Sequence, residues 1–399
     1  MSGGKVGRVP SVQEERVRRV GKGGLLSPIK DEDMNQVQMG HQRGPVLYWM
    51  SREMRADDNW ALLFARERAN QLAAPLVVAF NLVPHFLEAT ARQYDFLLKG
   101  LEETEADLRR KRIPFFLLRG NPANSIPLFA SCRQVSEVIT DMSPLRVPRE
   151  WVSQVADRLE SASVPFFLVD GHNVVPVWHL SSKQEPAART LRPKMKQLQA
   201  KFLVDFPELE ANCLPVELPR APDWQDAMDC LRIDRRIGPV TWLVPGSQSG
   251  RRLLTTFCEN KLKAYSALRN NPSVDGLSNL SPFFHFGQLA PQRAILAVSA
   301  FAQTRALQKS AEKWIEEALI FRELADNFCW YQPLYDSLQG APTWAQQTLQ
   351  KHSADNRFHK YSIQQFEGAQ THSTFWNAMQ TQLMVEGKLH GVRNCISFV

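Results

Sequence analysis

No two cysteines in this chain are spaced as C-x-x-C. Cys132, Cys213, Cys230, Cys258, Cys329 and Cys395 are scattered, which argues against a zinc site and against a disulfide framework. The nine histidines form no H-x-x-x-H or comparable cluster, so no metal is expected. No apolar run approaches the ~20 residues that span a bilayer, and the N-terminus has no hydrophobic signal core. A cytosolic or nuclear location without a membrane partner is therefore expected. No G-x-G-x-x-G follows the first apolar strand, so no dinucleotide is assigned there.

What is present is ordinary in bulk and distinctive in detail. A chain of 399 residues, 44% hydrophobic and 22% charged, has the length for two or three domains with ample core. Its net charge of +7 permits a polyanionic partner. Ten tryptophans supply flat surfaces suited to cores, ring-shaped cofactors or unstacked bases. Residues 1–43 are rich in Gly, Arg and Gln with little apolar periodicity and read as a disordered basic tail. Within them, Arg16, Arg18, Arg19 and Lys22 are either a nuclear address or a solvated charge run.

From Val46 the pattern alternates. Apolar strands are expected at 46–50, 76–80, 115–118, 135–140 and 165–169, with helices at 58–73 and 94–111 among the connections. This alternation predicts an α/β domain, a doubly wound parallel sheet, over 44–180. Residues 181–225 carry many prolines and charges and read as an inter-domain linker on the surface. Residues 226–399 read as an all-α domain.

The most informative helix runs from Trp314 to Trp330. At helical spacing, Trp314, Phe321, Leu324 and Phe328 form one apolar stripe with Glu317 inside it. A buried carboxylate costs several kcal/mol, in order of magnitude, unless something pairs with it. Glu317 thus either sits at the rim of the stripe, touching water or Arg322, or faces a cavity that takes a polar ligand between aromatic walls.

Seven blocks in order bear on that choice. They are the run from Tyr48 through Arg52, Asp58 and Trp60 to Leu62, then Arg92 to Leu101, and Asp141 to Arg146. Asp170-Gly171-His172-Asn173 leading to Trp178 and Lys194 follows, then Leu277 to Gln288, the Glu317 helix to Phe328, and Phe375 to Ala378. Together they closely resemble the class II cyclobutane pyrimidine dimer (CPD) photolyases of the photolyase/cryptochrome family, over about residues 44–391. The resemblance implies an α/β domain and a helical domain holding a folded-over FAD. It also implies a reaction, in which light-excited reduced FAD passes an electron to a pyrimidine dimer flipped out of DNA and the cyclobutane ring splits. Damaged double-stranded DNA is the implied partner, in the nucleus and possibly also the cytoplasm. A second antenna chromophore is left unknown, and a monomer suffices.

The same resemblance implies roles for particular residues. The loop Leu277-Ser278-Asn279-Leu280-Ser281 grips the FAD diphosphate, with Tyr265 also reaching it. Read from the residues alone, the loop is equally an ordinary Ser/Pro helix cap. Glu317 lies beside the lesion, where a protonated carboxyl can donate to a pyrimidine carbonyl, and Phe321 walls the pocket. Arg322 and Asn327 contact cofactor or DNA, or else pair along the helix surface with Asp326 and Glu323. Trp376 matches a tryptophan of the electron relay, although by itself it reads as core. Arg269 is a candidate phosphate contact or an exposed loop arginine.

After Gly391 the sequence departs from the family pattern and reads as a truncated, divergent ending. Ser397 falls 21 residues after Trp376, where the flavin-proximal tryptophan is expected. Weak FAD retention and weak or absent repair are the expectation. The alternative is a non-catalytic form that binds DNA or signals without repairing it.

Overall fold

The computed structural model describes residues 12–34, 44–212, 214, 216–303 and 305–391. Residues 1–11 and 35–43 of the expected tail, and the divergent ending 392–399 with Ser397, lie outside them.

Seven strands form one sheet: β1 (Val17–Val20), β2 (Leu26–Pro28), β3 (Val46–Met50), β4 (Leu76–Leu82), β5 (Phe115–Arg119), β6 (Glu137–Asp141) and β7 (Phe166–Val169). Their order is β2-β1-β7-β6-β3-β4-β5. The five strands β3 to β7 run parallel, while β1 joins antiparallel to β2 and β7. The strands β3 and β4 are buried along their whole length, which is why they read as unbroken apolar runs. Alternate residues feed two cores. Val46, Tyr48 and Met50 pack on one face with Phe64 and Phe167, and Leu47 and Trp49 on the other with Val138 and Phe166.

The connecting helices begin where the sequence offers caps. The Asn59 side chain accepts from the Leu62 amide at 3.0 Å to start Trp60–Gln71. Thr90 and Gln93 form a capping box at the head of Ala91–Arg110.

Two expectations are corrected. Residues 12–34 are part of the fold, because β1 extends the sheet (Val17 opposite Val169) and Arg16 is fully buried beneath it. The guanidinium donates to the carbonyls of Asp170 (3.1 Å), Asn173 (3.0 Å) and Val174 (2.8 Å), and lies 4.9 Å from the Trp60 ring centre. The supposed surface linker contains the helix Ala188–Phe202, whose Leu191, Met195 and Phe202 enter a third core. That core, with Phe257, Leu262, Phe283 and Trp314, belongs to the helical half.

Candidate active site

In the parallel part of the sheet, β3 is the point at which successive strands switch sides, so the loops after β3 and β6 diverge and leave a crevice. Asp141, the last residue of β6, ties these loops together. Its carboxylate accepts from the amides of Ser51 (2.8 Å), Arg52 (2.9 Å) and Glu53 (3.1 Å) and from the Tyr48 hydroxyl at 2.7 Å. Arg52 is thereby aimed at the helical half and grips Asp326 through both oxygens, at 2.9 and 3.0 Å. Burial alone would raise the Asp326 carboxyl, but the Arg52 charge brings it down to about 2.

The Asp170-Gly171-His172-Asn173 block closes the seam. Asn173 donates to Asp326 at 3.1 Å, and Asp170 accepts from the Val177 amide at 2.8 Å. His172 sits 2.6 Å from Glu53 through Nδ1. Burial, with the Arg52 charge, pushes the imidazole down to about 4, so at neutral pH the ring is neutral with its Nδ1–H on the carboxylate. Glu323 accepts from the Val174 amide at 2.6 Å and from Arg322 at 2.9 Å.

Between the two halves, against this seam, lies a cavity of about 1240 Å3. Small-molecule pockets are typically about 300–1,000 Å3, so this one has room for a large ligand. The helical half contributes Tyr265, the whole loop Leu277-Ser278-Asn279-Leu280-Ser281, Trp314, Glu317 and Arg322. The sheet side contributes apolar and aromatic walls, with the Phe86 and Trp151 rings 5.7 Å apart, together with Arg52 and Asp141.

The helix carrying Glu317 is not continuous. An α-helix (Arg305–Ile315) passes into a π turn (Glu316–Phe321) and resumes as Arg322–Tyr331. The inserted residue changes the phase of everything beyond it, which breaks the expected stripe. Trp314 is buried, but Phe321 is 45% exposed and outside the cavity lining, which corrects its reading as a pocket wall. Glu317 stands at the cavity rim, 45% exposed, paired with Arg269. Glu317 thus both borders the cavity and sits at its rim, with Arg269 and not Arg322 as the partner. Burial raises the Tyr265 phenol, and the neighbouring Glu317 charge adds to this.

Three further candidates fall differently. Arg322 lines the cavity and also pairs with Glu323 along its own helix. Asn327 is fully buried away from the lining. It accepts from the Glu185 amide at 2.7 Å and donates to the Lys183 carbonyl at 3.2 Å, which makes it an inter-domain tie and not a cofactor contact. Trp376, on Thr374–Glu386, packs edge-on against Phe366 at 5.2 Å and donates to its carbonyl, also outside the lining. The sequence marked no role for Arg52, Asp141 or Lys388, and placed Asp326 only in pairing along its own helix. For Asp141 the signal was there, in a carboxylate ending an apolar strand next to the switch point.

This architecture is that of the photolyase and cryptochrome fold. A class III photolyase of Agrobacterium tumefaciens superposes with a TM-score of 0.69 at 17% identity, covering 91% of this chain and 73% of that one. A cryptochrome of Synechocystis gives 0.68 at 16%, covering 89% and 74%. The DNA photolyase family profile matches residues 46–212. A deoxyribodipyrimidine photo-lyase of Potorous tridactylus is 44% identical over 351 residues, which are 88% of this chain and 65% of the relative. One from Arabidopsis thaliana is 42% identical over 357 residues, 87% and 71% of the two lengths. The chain belongs to the DNA photolyase family, and the class II resemblance of its motifs agrees with these identities. It spans about two thirds of the length of the curated relatives it matches.

Proposed function

We propose that this chain carries out light-dependent repair of cyclobutane pyrimidine dimers in DNA, with FAD held in the inter-domain cavity. The observation that carries this reading is convergence: Tyr265, the 277–281 loop, Glu317 and Arg322 of the helical half border one cavity with Arg52 and Asp141 of the sheet domain. The donor set fits a flavin dinucleotide. Hydroxyls of Ser278 and Ser281 and the Asn279 amide suit a diphosphate, while Trp314, Leu280 and Phe286 offer surfaces to rings. When bound, FAD supplies the light-driven electron.

The chain's own residues supply position and charge. The Arg52–Asp326 pair fixes the two walls relative to each other. Arg269 holds Glu317 at the rim, where a flipped-out dimer arrives from outside. In its protonated form Glu317 can donate to a pyrimidine carbonyl at that point and stabilise charge that appears on the lesion only during reaction. The damaged duplex is the partner, the working unit is a monomer, and the location is the nucleus. A non-catalytic DNA binder, the alternative reading, gains no support from the comparisons.

The test is the visible absorption spectrum of the purified chain after soaking with FAD and desalting, followed by illumination with a dimer-containing oligonucleotide. Flavin near one per chain and light-dependent loss of dimers are the outcome of this reading, against the weak retention and repair expected from the divergent ending alone. A chain that retains no flavin would overturn the proposal.

A further inference from the structure

Among the described residues three cations of Lys or Arg type line the cavity, and two of them are already bonded to carboxyl groups: Arg52 to Asp326 and Arg322 to Glu323. Lys388 is the third. Among the described residues it has no carboxylate within ion-pair distance. Its ammonium donates to the Asn279 side-chain oxygen at 2.6 Å and lies 5.0 Å from the Trp242 ring centre. The charged groups facing it are Asp275, Glu386 and Lys261, and Asp275 is taken by Lys261 at 2.5 Å. Burial lowers the Lys388 pKa. A half-buried ammonium on a cavity wall, bonded only to a neutral amide, is poised for an anion.

Its position is enforced from the other domain. The helix Thr374–Glu386 ends on carbonyls that take partners from beyond it, the Gly387 amide closing on Leu383 at 2.9 Å. Arg92, at the head of Ala91–Arg110, donates to three of them: Leu383 at 3.2 Å, Met384 at 2.8 Å and Val385 at 3.3 Å. A cation at this end also opposes the negative pole of the helix. Trp242 takes the Glu386 carbonyl at 2.8 Å. Gly387 then turns the chain with φ of +68°, and a Cβ there would come within 2.8 Å of Val240 and 2.9 Å of Arg92. The turn delivers Lys388 to Asn279, itself left-handed at φ +58°, in the middle of the 277–281 loop.

We propose that Lys388, positioned by Arg92, Trp242 and Gly387, pairs with the diphosphate of the flavin dinucleotide, with the Ser278 and Ser281 hydroxyls beside it. This rests on the flavin reading above and adds the charge that the loop itself lacks. A charged hydrogen bond of this kind accounts for about a 10- to 100-fold difference in affinity.

The test compares wild type, Lys388→Met and Lys388→Arg in equilibrium titrations with FAD, with riboflavin, which has no phosphate, and with a short oligonucleotide. The Met variant is expected to bind FAD about 10- to 100-fold more weakly and riboflavin as wild type does, with the Arg variant near wild type. Unchanged riboflavin binding also shows that the variant is folded. Met-variant affinity for FAD equal to wild type overturns the assignment, as does equal loss for both flavins or loss for the oligonucleotide alone. A wild-type chain that binds neither flavin overturns the flavin reading and this one together.

Discussion

Replacing Arg16 by Ala tests whether the N-terminal segment is structure or ornament. The side chain is fully buried and donates to six oxygens, three of them carbonyls of the 170–174 turn that also holds Asp326. Burial pulls its pKa down to about 10, supported from below by Asp170 and Glu323, so the group stays charged at neutral pH. Truncation leaves those acceptors without donors, at about 1–3 kcal/mol for each that water cannot reach. Water entering the vacated space satisfies some of them, and loss of about 3–5 kcal/mol overall is expected. Against a total stability of about 5–15 kcal/mol that is severe. Arg16→Lys keeps the charge but not the planar fork and should lose about half as much. Guanidinium unfolding followed by tryptophan fluorescence gives the difference, and limited trypsin digestion shows whether residues 12–34 release first. An Arg16→Ala midpoint within about 1 kcal/mol of wild type would return the segment to the role of a surface tail.

Three further outcomes follow from the seam and the rim. Arg52→Ala leaves Asp326 charged and nearly buried, and should lower stability by about 3 kcal/mol in the same unfolding assay. The Asp326 carboxyl lies near 2 in the fold against an ordinary 3.8, so its contribution is complete above 3.8 and is lost as pH falls toward 2. Unfolding midpoints measured from pH 5 to 2.5 should fall more steeply in wild type than in Asp326→Asn. Glu317→Gln breaks only a half-exposed pair with Arg269, so its melting temperature should correspond to a change of less than about 1 kcal/mol. Loss of repair in that variant would then report on chemistry and not on folding.

The parallel sheet was legible because its central strands are buried on both faces and so consist of apolar residues throughout. The loop 277–281 and Tyr265 were legible through resemblance, and the structure places them on one cavity. Other features left weaker marks. Arg16 looks like any basic residue in a Gly-rich tail, since its partners are backbone carbonyls from a turn more than 150 residues away. The helix Ala188–Phe202 repeats apolar residues at 191, 195, 198 and 202, a helical spacing obscured by its charges and Pro193. Asn327 carries the right side chain for a ligand, but its amide is taken up by Lys183 and Glu185, which only the folded chain brings near.

The π turn at Glu316–Phe321 was invisible to periodicity, and it sets the tolerance of this helix to insertion and deletion. A helix with one extra residue held in a single wide turn has two faces of different phase. Upstream, Trp314 addresses the helical core; downstream, Glu323, Asp326 and Asn327 address the sheet domain. Loss of one residue from the flanking α-helical turns, or straightening of the π turn at constant length, would rotate the downstream half by about 100°. The carboxylates that meet Arg52 and Val174 would then point elsewhere. The same loss in a surface loop would be absorbed locally. Here the count of residues between Trp314 and Glu323 is itself a structural constant, set jointly by the helical core and the sheet domain.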